Sequence, residues 1–204
     1  MTRRRAGRGV FLNVPFDRQY GRLSDALVFA VHDCGLIARC ALETDDGSQI
    51  RFDKICAIIA ECELGIHDLS RTTLDGVNRL PRFNMPLELG LFLGAKRFGG
   101  SRHRWKSALI LERRPFRYQV YCSDLAGQDI RAHHNSTVSA VVAVRNWLQT
   151  VWRTNLWSGR TIGIRYMTFR NQLPRVCADQ GLDERTLTFI DYREQVEDWI
   201  YRNP

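Results

Sequence analysis

No stretch of the chain approaches the run of about 20 apolar residues that a membrane-spanning helix needs. The start MTRRRAGRG lacks the apolar core that follows the basic residues of a secretory signal. A membrane partner is therefore not expected, and the expected location is cytoplasmic. Cysteine pairing is also missing: Cys34, Cys40, Cys56, Cys62, Cys122 and Cys177 include no CxxC pair and mostly sit in apolar runs, as buried free thiols do. Disulfides and metal ligation are not expected. The run SDLAGQDIRAHH brings Asp124, Asp129, His133 and His134 close in sequence, but at a spacing that fits no standard zinc or divalent-cation pattern. Asn135-Ser136-Thr137 has the form of a glycosylation acceptor, which matters only in a secreted chain. There is no internal repeat and no low-complexity segment. The net charge of +8 is not concentrated either. Apart from Arg3, Arg4, Arg5 and Arg8, and a group from Arg102 to Arg117, the basic residues are spread out. Nucleic acid is thus not the expected main partner; a solvated basic surface or a site for small anions fits better.

What is present is enough apolar material, 44% over 204 residues, for one domain with a real core. Compact apolar runs of strand length occur at Gly9 to Val14, Leu36 to Ala41, Leu64 to Leu69, Ser107 to Leu111 and Gln119 to Cys122. Between them, apolar residues recur at helical spacing over Asp17 to Cys34, Ile50 to Cys62 and the stretch ending at Lys96. Ser48, after the Asp46-Gly47 turn, is positioned to cap the second of these helices. Alternating strands and helices predict a doubly wound α/β fold with a mainly parallel five-stranded sheet, flavodoxin-like in class, because each parallel crossover needs a helix. Residues 1–130 form the expected α/β domain, and 131–204 an expected helical extension packed on it, with helices over Val138 to Trp152, Met167 to Gln180 and Arg185 to Tyr201. Its tryptophans, Trp147, Trp152, Trp157 and Trp199, suit a core or an interface between copies, and a homo-oligomer is expected.

In such sheets ligands bind beyond the carboxyl ends of the strands. The loops there carry FLNVPFD near the start, a Gly-Ser turn before the second helix, a strand ending in HDLS, and FNMPLELGLFLGAK. This succession resembles the nucleoside 2-deoxyribosyltransferase-like superfamily and its TIR-like relatives, over roughly the first 125 residues. Asn84, Glu88, Gly90 and Gly94-Ala95-Lys96 match the family's Asn-x-x-x-Glu-x-Gly helix, and Asp68 matches its strand-end carboxylate. The resemblance implies a nucleotide or nucleoside ligand, with NAD as the most plausible substrate and no separate cofactor. It also implies cleavage or transfer at a ribosyl N-glycosidic bond, and a defence or stress role. Glu88 and Asp68 would be catalytic, and Asn13, Phe16, Asp17, Gly47, Ser48 and Asn84 would contact substrate.

The residue types suit that chemistry. Breaking the bond passes through an oxocarbenium-like state, which a nearby carboxylate stabilises or captures. Glu88 fits that role, standing amid Met85, Leu87, Leu89, Leu91, Phe92 and Leu93, where desolvation is costly unless the acid is paired or used. Asp68 could bind ribose hydroxyls or pass a proton to the leaving base, and Phe16 or Phe83 could stack on the base. Gly47 and Ser48 offer donors for a phosphate at a helix start. The long basic loop with Arg71, Arg79 and Arg82 favours a phosphorylated ligand. The plain readings are that Glu88 pairs with Arg51 or Arg82, that Asp68 and Asn84 are turn or cap residues, and that His67 is a core or surface histidine. A binding module that senses a nucleotide without turning it over, its helical tail driving oligomerisation or partner contact, is the alternative function.

Overall fold

The computed structural model describes residues 9–17, 20–71, 81, 83–152 and 155–204. Five parallel strands, β1 (Gly9–Asn13), β2 (Ile37–Arg39), β3 (Leu64–Asp68), β4 (Ser107–Glu112) and β5 (Ile130–Ala132), form one sheet in the order β2, β1, β3, β4, β5. Helices α1 (Gly21–Asp33), α2 (Arg51–Glu61), α3 (Asn84–Phe98) and α4 (Thr137–Val151) make the crossovers and the closing layer. They are followed by α5 (Gly159–Asp179) and α6 (Phe189–Arg202). The doubly wound α/β class predicted from the sequence is the one observed.

The pleat divides the strands between two cores, because successive side chains leave a strand on opposite faces. Val10, Leu12, Leu64, Ile66, Leu109 and Leu111 pack with α1 and α4, whereas Phe11 meets Ile55, Ile58, Ile59 and Phe92 of α2 and α3. Ile110 joins Leu69 and Leu89 on that second face. Gly65 has a packing reason: a Cβ there would lie 2.7 Å from the His67 ring and 2.8 Å from Phe92. Lys106, 2% exposed, enters the sheet before β4 with its ammonium on the carbonyls of Ile59 and Cys62 at the end of α2. A cation is favoured at that helix terminus by the peptide dipole.

The helices after β5 share the core of α1. Phe29 stacks on Phe169 at 5.3 Å and touches Trp199 at 5.7 Å. Arg165 grips Asp33 through two guanidinium nitrogens, and the hydroxyls of Tyr166 and Tyr192 donate to the carbonyls of Arg22 and Asp25. Of the tryptophans, Trp147 and Trp199 are buried and Trp152 is partly so, while Trp157 is exposed. Thr188 and Asp191 form a reciprocal capping box at the start of α6.

Two local expectations are corrected. Gln119 to Cys122 is not a strand: Arg117–Val120 and Ser123–Leu125 are short 3-10 turns. The Glu112 carboxylate holds this segment back over the end of β4, accepting from Arg117 at 3.0 Å and from the Tyr121 hydroxyl. The fifth strand is instead the three-residue Ile130–Ala132. Ser48 does not cap α2; its amide and hydroxyl both donate to Asp46, and the N-cap is Ile50.

Candidate functional site

The carboxyl edge of the sheet gathers half of the buried polar residues among those described: Asn13 ends β1, His67 and Asp68 end β3, Glu112 ends β4, and His133 follows β5. Parity decides where each points. Asp68 follows Leu64 and Ile66 onto the α1 face, whereas His67 goes to the α3 face and sits edge-on against Phe11 and Phe92.

Asp68 is fully buried and occupied at both oxygens. Oδ1 accepts from the amide of Ser70 at 2.8 Å and from its hydroxyl, and Oδ2 accepts from the Tyr20 hydroxyl at 2.5 Å. His133 Nε2 lies 3.1 Å from Oδ2, though not aimed well enough for a hydrogen bond. Its Nδ1 accepts from the Asn135 amide, which leaves the ring proton on the Asp68 side. Burial alone would raise the Asp68 pKa, but His133, Ser70 and Tyr20 together hold it below its ordinary value. Tyr20, buried beside that charge, is pushed far up and stays a donor. Asp68 is therefore enclosed by Tyr20, Ser70 and His133 among the described residues, where the expectation was contact with ribose hydroxyls or a leaving base.

Glu88 is the opposite case. It lies one turn into α3, 8% exposed, and among the described residues nothing hydrogen-bonds or ion-pairs with its carboxyl. Burial raises its pKa from the ordinary 4.5 to about 7, against a partial lowering by the charge of Arg51 at the start of α2. Arg51 thus makes no ion pair with Glu88; Arg79 and Arg82, the other cations of the plain reading and the loop, lie outside the described residues. Asn84 is exposed as the first residue of α3, four before Glu88, and the N-cap is Phe83, also exposed.

Asn13 is buried against the same helix. Its amide group donates to the Met85 carbonyl at 2.8 Å and lies 3.1 Å from His67 Nδ1, while its Oδ1 has no partner among the described residues. His67 is kept neutral: burial, then the charge of Lys106, lower its pKa to about 3. Phe16 packs edge-on against Phe189 of α6 at 5.9 Å, and Asp17 accepts from the Tyr20 amide and from Arg71 at 3.0 Å. Both line a small cavity with α6. Gly47 and Ser48 are exposed in the turn before α2. Asp124 and Asp129 are exposed, and no group of three metal-ligating side chains occurs among the described residues.

The structure thus brings Asn13, Asn84 and Glu88 to one helix start and sends Asp68 to the other face. Sequence reasoning missed Tyr20 and underweighted His133. The signal for Tyr20 was chemical, since a tyrosine on a buried helix face needs a partner for its hydroxyl. No helix of the described residues is long and apolar enough to cross a membrane. Comparison of the chain with protein-family models, curated proteins and solved structures finds no match, so its chemistry is read from these residues alone.

Proposed function

We propose that the chain is a nucleotide-binding domain that cleaves or transfers at a ribosyl N-glycosidic bond, with Glu88 as the reacting carboxylate and NAD as the leading substrate. The observation that carries this reading is a carboxyl on α3, buried without a described counter-ion and titrating at about 7. A carboxylate in apolar surroundings interacts strongly with a cation that forms beside it, because little water screens the pair. In hydrolysis the C1′–N bond breaks with its electrons going to the base, and Glu88 stabilises or captures C1′. Water adds its hydroxyl to C1′, displacing Glu88 where it was captured, while its proton goes to the base or, where the base leaves neutral as nicotinamide does, to solvent. Asn84, on the same helix face one turn earlier, is placed to bind that sugar. The Asn-x-x-x-Glu-x-Gly resemblance, and a role in defence or stress signalling, belong to this proposal.

Purified protein incubated with NAD or with nucleosides should release free base, and Glu88→Gln should slow release at least about 100-fold, within the range lost with a key electrostatic group. Equal rates in the two proteins would reject the reading. The sealed state of Asp68, the expected proton donor, favours a second reading, a module that senses a nucleotide without turnover. Stoichiometric calorimetric binding of NAD with no base released would select it.

A further inference from the structure

A second feature lies on the other face of the sheet. Between α1, α4 and α5 a cavity of about 690 Å³ is lined by Arg22, Arg71, Arg113 and Arg170, with no aspartate or glutamate among its described lining residues. Two of the arginines are already engaged: Arg71 with Asp17 at 3.0 Å, and Arg170 with Glu184 at 3.0 Å and Asp25 at 3.7 Å. Arg22 and Arg113 are exposed and have no carboxylate partner among the described residues. Arg22 and Arg113 thus add positive charge that no described carboxylate pairs with, and an anionic ligand would offset it.

The rest of the wall suits that ligand. Ser136 and Thr137 begin the 15-residue α4, whose first amides have no acceptor within the helix. Ser70 and Asn135 add polar groups, and Tyr166 and Met167 of α5 an apolar side. The volume falls in the range of small-molecule sites, roughly 300–1,000 Å³, too large for one inorganic ion.

We propose that this cavity binds a phosphorylated small molecule of nucleotide size, its phosphate held by Arg22, Arg113 and the first turn of α4. The site stands apart from Glu88, which belongs to the opposite face, and does not depend on whether Glu88 cleaves anything. Tyr20 and Ser70, which line the cavity, are the residues that hold Asp68, so an occupant would rest on that buried network.

Calorimetric titration of the 204-residue chain with ADP, adenosine and inorganic phosphate tests the proposal, beside the double variant Arg22→Gln/Arg113→Gln and the single variant Glu88→Gln. Both arginines are exposed, and thermal melting confirms that the double variant folds. ADP should bind at least tenfold more tightly than adenosine or phosphate, and more weakly as salt rises. The double variant should lose at least tenfold, and Glu88→Gln should bind as the parent does. Adenosine binding as well as ADP, or a double variant unchanged in affinity, would overturn the proposal. Loss of ADP binding in Glu88→Gln would overturn it too, by placing the ligand at the other face. If that face alone fails to turn over NAD while ADP still binds here, only the N-glycosidic reading falls.

Discussion

Asp68 and Glu88 are carboxyls buried at the same end of one sheet, and their surroundings drive them in opposite directions. On the α1 face Asp68 meets Tyr20, Ser70 and His133, which hold its pKa below the ordinary value; on α3 Glu88 has no hydrogen-bond or ion-pair partner among the described residues, and burial, partly offset by Arg51, pushes its pKa up to about 7. Burial is the larger cause at both sites, and it works toward protonation at both. What separates them is the number of donors within reach. A sealed, fully satisfied acid belongs to the architecture, and one without a partner among the described residues is the candidate for a ligand.

The largest expected effect breaks the Asp68 side. Asp68→Ala leaves the Tyr20 hydroxyl and Ser70 without their acceptor and His133 without the adjacent charge, and should cost about 3–5 kcal/mol in urea unfolding at pH 7. Glu88→Gln should do the reverse. An acid whose folded pKa is raised contributes stability that is complete below the unfolded value of 4.5 and is lost as pH rises toward about 7. After allowance for partial solvent screening, the variant should be about 2 kcal/mol more stable than the parent at pH 8 and equal to it at pH 4. A constant difference across that range would show that Glu88 has a partner in solution. Tyr20→Phe removes one donor and should cost about 1–1.5 kcal/mol at pH 7. Because Asp68 is depressed, its contribution is present above its ordinary value of 3.8 and lost as pH falls, so the variant's deficit should shrink in acid. The smallest effect is that of Arg51→Gln, which removes the one charge among the described residues that lowers Glu88; the carboxyl midpoint, followed by NMR, should rise by less than about one unit.

Much of this was legible in the residues and part was not. The parallel sheet followed from apolar runs such as GVFLN, LGIHD and SALILE separated by helical periods. The last strand escaped because IRA is three residues long and half exposed, while the more apolar QVYC is held in turns by the Glu112 carboxylate, a contact with no local signature. Glu88 could be picked out as an acid in an apolar helix. Its separation from Asp68 was also within reach, since Asp68 shares strand parity with Leu64 and Ile66, but motif order drew the two together. What sequence alone could not supply was the surroundings of Asp68, which include residues 48 and 65 positions away.

Helix α1 is enclosed by α4, α5 and α6, with the Phe29 ring between residues 140 and 170 positions further along the chain. During synthesis α1 therefore emerges well before the segments that cover it, and its apolar side stays uncovered until α5 and α6 have been made. A nascent chain halted before α5 should be a client for chaperones, and synthesis through α6 should be what lets α1 find its place.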